Sequence, residues 1–177
     1  MNGVVAYPEG FQRVQAALRA LGHAHEPLWL QASARTSQEA AQALGVTVAQ
    51  IAKSVVFRRA QGVEAGESDA AVLVVTSGDK RVDEQRVAAL VCREGGQRLA
   101  RADAEFVKAR TGFSIGGVAP LAHREPLVLL IDRELFRFEE IWAAAGHPNG
   151  VFKLAPADLP RLTGGAPVAD VVQPPAA

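Results

Sequence analysis

Two short segments of this 177-residue chain carry residue types that can do chemistry without an obvious catalytic side chain. The first is Gly112-Phe113-Ser114-Ile115-Gly116-Gly117-Val118-Ala119-Pro120-Leu121. Adjacent glycines let the main chain approach a ligand and adopt positive φ, and Pro120 then fixes φ and removes one donor. Such a loop can aim the N–H groups of Gly116, Gly117, Val118 and Ala119 at a carbonyl or a developing oxyanion. The alternative is a structural loop before the apolar run 127–131. The second segment is Ile51-Ala52-Lys53-Ser54-Val55-Val56-Phe57, one lysine in an apolar run. In a strand, Lys53 shares a face with Val55 and Phe57, while Ser54 shares the other with Val56 and Arg58. If the first face is buried, the ammonium needs an anion or a route to water. A phosphate at a pocket mouth would serve; a lysine snorkelling from a strand end is the alternative.

Other chemistry is weaker. The histidines are His23, His25, His123 and His147, and none falls in an HExxH or Cys/His zinc pattern. No metal and no cofactor is expected. Ser54 and Ser114 are the serines nearest the two segments, yet there is no GxSxG elbow. Cys92, the single cysteine, follows an apolar run and reads as a buried structural thiol; alone, it excludes an internal disulfide framework. His147, in Gly146-His147-Pro148-Asn149, sits in a turn from which a side chain can enter a pocket or face solvent. Lys80 and Arg81 lie in a turn between Asp79 and Asp83.

The elements that must hold these residues follow from periodicity and capping. Residues 8–21 are apolar at helical spacing, with Pro8 at the start and Gly22 as the stop. Residues 25–30 read as a short strand. Thr36 and Glu39 form a capping box for a helix over 37–44 that Gly45 ends. Thr47 and Gln50 repeat that box for a shorter turn. Strands are predicted at 53–57, 70–76, 126–131 and 168–172. A hairpin is predicted from 141–145 and 151–154, although 138–145 also fits a helix. Asp83 caps a helix to Val91, a helix over 103–110 stops at Gly112, and a short one spans 156–162. The polar stretch 61–69 reads as a hairpin loop, and residues 174–177 as a disordered tail. Strands interleaved irregularly with short helices predict a single α/β domain, 1–177, with a mixed, curved sheet.

The order Thr36-x-x-Glu39-Ala40-Ala41-x-x-Leu44-Gly45-Val46, the Lys53 segment, Ser77-Gly78-Asp79-Lys80-Arg81-Val82-Asp83, the glycine loop, Ile131-Asp132 and Gly146-His147-Pro148-Asn149 resembles the YbaK/prolyl-tRNA-synthetase-associated editing domain family, over about 36–172. The resemblance implies a barrel-like mixed sheet flanked by short helices. It implies a free-standing hydrolase that deacylates mischarged aminoacyl-tRNA, with tRNA(Pro) carrying alanine, cysteine, serine, threonine or 2-aminobutyrate as the substrate. Lys53 would hold a phosphate of the terminal adenosine, and Gly116, Gly117, Val118 and Ala119 would face the reacting carbonyl. Pro120, His147, Ser54, Lys80 and Arg81 would contact the amino acid or the acceptor end, and a synthetase is an expected transient partner. A non-catalytic module binding an aminoacyl-tRNA end or an adenylated ligand is the first alternative, and a small-molecule ester hydrolase the second.

Composition limits these readings. Nineteen basic and nineteen acidic residues give a formal net charge of zero. That argues against nonspecific nucleic-acid binding but permits a protein that holds terminal nucleotides alone. No apolar run reaches membrane-spanning length and no leader pattern is seen, so a soluble, cytoplasmic protein is expected.

Overall fold

The computed structural model describes residues 6–60, 69–93 and 96–175. The elements are α1 (Glu9–Ala20), β1 (Leu28–Trp29), α2 (Ser37–Leu44), β2 (Ile51–Ala60), β3 (Ala70–Ser77), α3 (Glu84–Val91), β4 (Arg98–Arg101), α4 (Ala104–Thr111), β5 (Val128–Asp132), β6 (Ile141–Ala144), β7 (Gly150–Leu154), α5 (Leu159–Leu162) and β8 (Val168–Ala169). Three 3-10 turns join them, at Val48–Gln50, Arg133–Arg137 and Pro156–Asp158.

Local signals set the helices. Thr36 accepts from the Glu39 N–H, and the Glu39 carboxylate accepts in return from the Thr36 N–H. Gly45 closes α2 in the left-handed region. Asp83 and Asp103 cap α3 and α4 through their side chains. Each such cap is worth about 1 kcal/mol.

The eight strands form one mixed sheet in the order β1-β7-β6-β2-β3-β5-β8, with β4 added to β2. β3 is its centre. Val72, Leu73, Val74 and Val75 are fully buried, because both faces of β3 are covered. Leu73 and Val75 face the larger core with Phe11, Phe113, Ile131 and Phe152. Val72 and Val74 face a second core with Phe57, Val87 and Val171. Burial of each such side chain contributes roughly 1.5–3 kcal/mol.

β2 pairs along one edge with β3 from Ala52 to Arg59. Along its other edge it pairs with β6 at Ile51 and Ala52, and with β4 from Phe57 to Ala60. Lys53, Ser54, Val55 and Val56 lie in the gap between those two ladders. The sheet therefore opens at the stretch where the lysine and the serine stand.

Several expectations shift in detail. The strand expected over 25–30 is two residues long, and the one expected over 168–172 is Val168–Ala169 followed by an isolated bridge from Val172 to Val82. Residues 141–144 form a strand: period-two burial against β7 prevails over the helical alternative. Strand β4 has no counterpart among the sequence expectations, since its four residues, Arg98-Leu99-Ala100-Arg101, show no period-two alternation. Cys92 ends α3 half-buried rather than fully buried. The stretch 61–68 and residues 176–177 of the tail lie outside the described residues. No helix among the described residues is long and apolar enough to cross a membrane.

Candidate active site

The glycine loop and the Lys53 strand meet across one cavity of about 320 Å3. Lys53, Ser54, Gly116 and Val118 all line it, together with Arg35, Ser37, Ile115 and Trp142. Its polar walls come from the N-terminus of α2, the β2 gap and the loop after α4. Its apolar floor comes from β6 and β7.

Lys53 is held by main-chain oxygens. Its Nζ donates to Lys80 O at 2.6 Å and lies 3.5 Å from Gly78 O. An ammonium carries three donors, so one remains for a ligand. Burial pushes the Lys53 pKa below its ordinary value, and the nearby Asp79 carboxylate works the other way. Asp79 is itself fixed by Arg137 at 2.8 and 3.0 Å. Burial raises the Asp79 pKa, but bonds from Ser77 and Arg137 outweigh this and hold it below the carboxylate range. The turn 77–80 thus presents two carbonyls and one anchored carboxylate to the lysine.

The loop is shaped by α4 behind it. The buried Thr111 hydroxyl donates to Val107 O and accepts from the Phe113 N–H, turning the chain at once. Gly116 takes φ +93°, and a Cβ there would stand 3.3 Å from Arg35. The Gly117 N–H donates to Ser114 O at 2.9 Å. That bond removes Gly117 from the set of donors open to a ligand. Among the described residues, the N–H groups of Gly116 and Val118 have no acceptor, and both residues wall the cavity.

The other expected site residues are dispersed. Ala119 and Pro120 are buried behind the wall, and Ala119 O accepts from His123 Nε2 at 2.7 Å. His147 stacks on Trp29 with ring centres 4.8 Å apart and lines a separate cavity with Glu9, Lys108 and Ser114. Its Nδ1 accepts from the Asn149 N–H. Burial, then the charge of Arg35, pushes its pKa down. Lys80 pairs with Glu134 at 3.6 Å, and its carbonyl serves Lys53. Arg81 is exposed and lines a different cavity, described below.

Arg35 and Trp142 are lining groups that were not anticipated. Arg35 sits at the rim against Gly116. Trp142 lies in the stretch expected as a hairpin strand, and its indole N–H is buried without a partner among the described residues, as is the Ser54 hydroxyl. Burial of such groups unpaired costs about 1–3 kcal/mol, and here both belong to the cavity wall. Nothing in the sequence marks Trp142, because its one signal is a missing acceptor.

Among the described residues, the cavity wall holds no carboxylate and no imidazole. Among the described residues no three His, Cys, Asp or Glu side chains converge as metal ligands. What it brings together, among the described residues, is two residues whose main-chain N–H groups have no acceptor, an ammonium and an apolar floor.

The profile of the aminoacyl-tRNA editing domain family matches residues 31–162. The chain belongs to that family. This editing domain is 34% identical over 133 residues to the uncharacterized protein YwhH of Bacillus subtilis (strain 168), covering 74% of this chain and 76% of that one. It is 32% identical over 102 residues to a proline–tRNA ligase of Limosilactobacillus fermentum, a match covering 58% of this chain and 17% of the ligase. The solved structure of a candidate trans-editing enzyme for prolyl tRNA synthetase superimposes on the editing domain with a TM-score of 0.80 at 40% identity, covering 96% of this chain and all of the other.

Proposed function

We propose that this editing domain hydrolyses mischarged aminoacyl-tRNA in trans, and that its substrate is tRNA(Pro) bearing a small wrong amino acid: alanine, cysteine, serine, threonine or 2-aminobutyrate. The observation that carries the reading is the juxtaposition of Gly116 and Val118 with Lys53 across one cavity. The prolyl relationship draws its support from the ligase relative and the structural neighbour.

The ester is already activated, so the protein needs to position it and stabilise charge. Lys53 takes a phosphate of the terminal adenosine as a compact point charge. The Gly116 and Val118 N–H groups take the carbonyl oxygen as it becomes an oxyanion. Water adds its hydroxyl to the carbonyl carbon, the bond to the ribose oxygen breaks, and that oxygen takes up the proton the water gives up. Free amino acid and tRNA result. With no carboxylate or imidazole on the wall among the described residues, the neighbouring ribose hydroxyl is the base within reach of the water. A cavity of about 320 Å3 is at the small end of ligand pockets, which favours a short side chain.

The test is a deacylation panel of tRNA(Pro) charged with each of these amino acids, beside the corresponding free amino-acid esters. Release from one or more charged tRNAs, with much slower hydrolysis of the free esters, is expected. Binding of charged tRNA without release would replace the enzyme by a binding module. Equal hydrolysis of free esters would make it a small-molecule esterase.

A further inference from the structure

Lys53 lines a second cavity besides the one described above. The second, of about 340 Å3, is lined by Val55, Phe57, Arg81, Glu84 and Arg101 among others. Strand β4 builds this place. Arg101 stands opposite Phe57 in the antiparallel register, and residues directly opposite share a face of the sheet. Phe57 and Lys53 are four residues apart on β2, so they share that face too. At about 3.3 Å per residue, Arg101 stands roughly 13 Å along the strand from Lys53. The two cations therefore address different points on a ligand. Arg81 arrives from the turn after β3, where its carbonyl accepts from the Gln173 N–H at 2.8 Å.

Arg81 and Arg101 are both exposed, and among the described residues neither is in an ion pair. Among the described residues Glu84 is the one carboxylate on this wall, against three cations. Unpaired guanidinium groups keep their whole charge for a ligand, and their planar fork suits phosphate.

We propose that this second cavity is a subsite for the single-stranded nucleotides preceding the terminal one, with Arg81 and Arg101 contacting their phosphates. The inference rests on the reading that Lys53 holds the terminal phosphate. A strand held there has its reacting end in the first cavity, and its 5′ continuation passes the other flank of Lys53, where these arginines stand. A net charge of zero fits a contact confined to so few nucleotides.

The experiment compares two esters of one amino acid, aminoacyl-tRNA and 3′-O-aminoacyl-adenosine 5′-phosphate, with the parent and with Arg81→Gln/Arg101→Gln. Both side chains are exposed, and melting curves establish that the variant is folded. The variant is expected to lose about tenfold or more in kcat/KM on the tRNA relative to the mononucleotide. Its log–log salt dependence on tRNA should become shallower by about 0.7 per lost contact. An unchanged ratio between the two substrates overturns the subsite. Should the parent hydrolyse neither ester, the function above fails, and the subsite is still decided by anisotropy of a labelled oligonucleotide ending in CCA. Weaker binding by the double variant supports it, and equal binding overturns it.

Discussion

Gly117 is seated against the main chain of His147: a Cβ at 117 would stand 2.7 Å from both the Cα and the carbonyl carbon of His147. This contact joins the loop after α4 to the turn between β6 and β7. Gly117→Ala must therefore push the two segments apart. Overpacking of this kind costs about 1–3 kcal/mol. The expected outcome is a lower melting temperature together with slower deacylation. A variant with parental melting and parental rate would show that the loop and the turn are not tightly coupled.

Lys53→Ala removes the ammonium from the cavity. A hydrogen bond to a charged group is worth about 1.5–3 kcal/mol, so deacylation should fall by about ten- to a hundredfold while the fold persists. Lys53→Arg should restore part of the loss, because a planar fork cannot occupy the two carbonyl contacts and the phosphate as an ammonium does. Single-turnover rates on charged tRNA check this, and near-parental turnover by Lys53→Ala would remove the lysine from the mechanism.

Trp142→Phe keeps an aromatic ring and deletes a buried N–H that has no partner among the described residues. Removal of an unsatisfied donor is neutral or stabilising, so the melting temperature should hold or rise. If that N–H serves the substrate, KM or kcat worsens in the same protein. A drop in stability with unchanged kinetics would make Trp142 a packing residue alone.

His123 gives the fold a pH dependence. Its Nε2 donates to Ala119 O, and burial, opposed by that hydrogen bond, pushes its pKa below 6.5. Arg13 adds to the depression. Because the folded pKa is lowered, the unfolded chain binds more protons between the two values. Stability is then complete above about pH 6.5 and is lost as pH falls toward the folded value. Melting curves from pH 8 to pH 5 should show the decline, and His123→Gln should flatten it. His147 is depressed as well and leaves a residual slope of the same sign. An identical slope in His123→Gln would assign the effect elsewhere.

Cys92 ends α3 half-buried and lies on the wall of a different cavity from Lys53. Cys92→Ser and chelator treatment should both leave turnover within a few-fold of the parent. Loss of activity with chelator, restored by zinc, would reveal a metal requirement.

The sequence by itself determined the elements whose signals are local. Thr36 with Glu39, Asp83, Asp103 and the glycines at 45 and 112 mark helix ends, because capping bonds span three or four residues. The apolar run of β3 declares a strand buried on both faces. The resemblance singled out Lys53 and the glycine loop, and it agrees with the family to which the chain belongs. Tertiary structure decided what depends on distant partners. Strand β4 exists because β2 offers it an edge beyond Val56, and that edge is invisible in the pattern of β4 itself. Gly117 is withdrawn from the open donors by Ser114 O, and His147 is turned to a neighbouring cavity by Trp29. Trp142 joins the wall because β6 pairs with the start of β2. Spacing fixes which residues can share a face. Which faces enclose one cavity, and which donors there stay unpaired, is set by strands that meet from far apart in the chain.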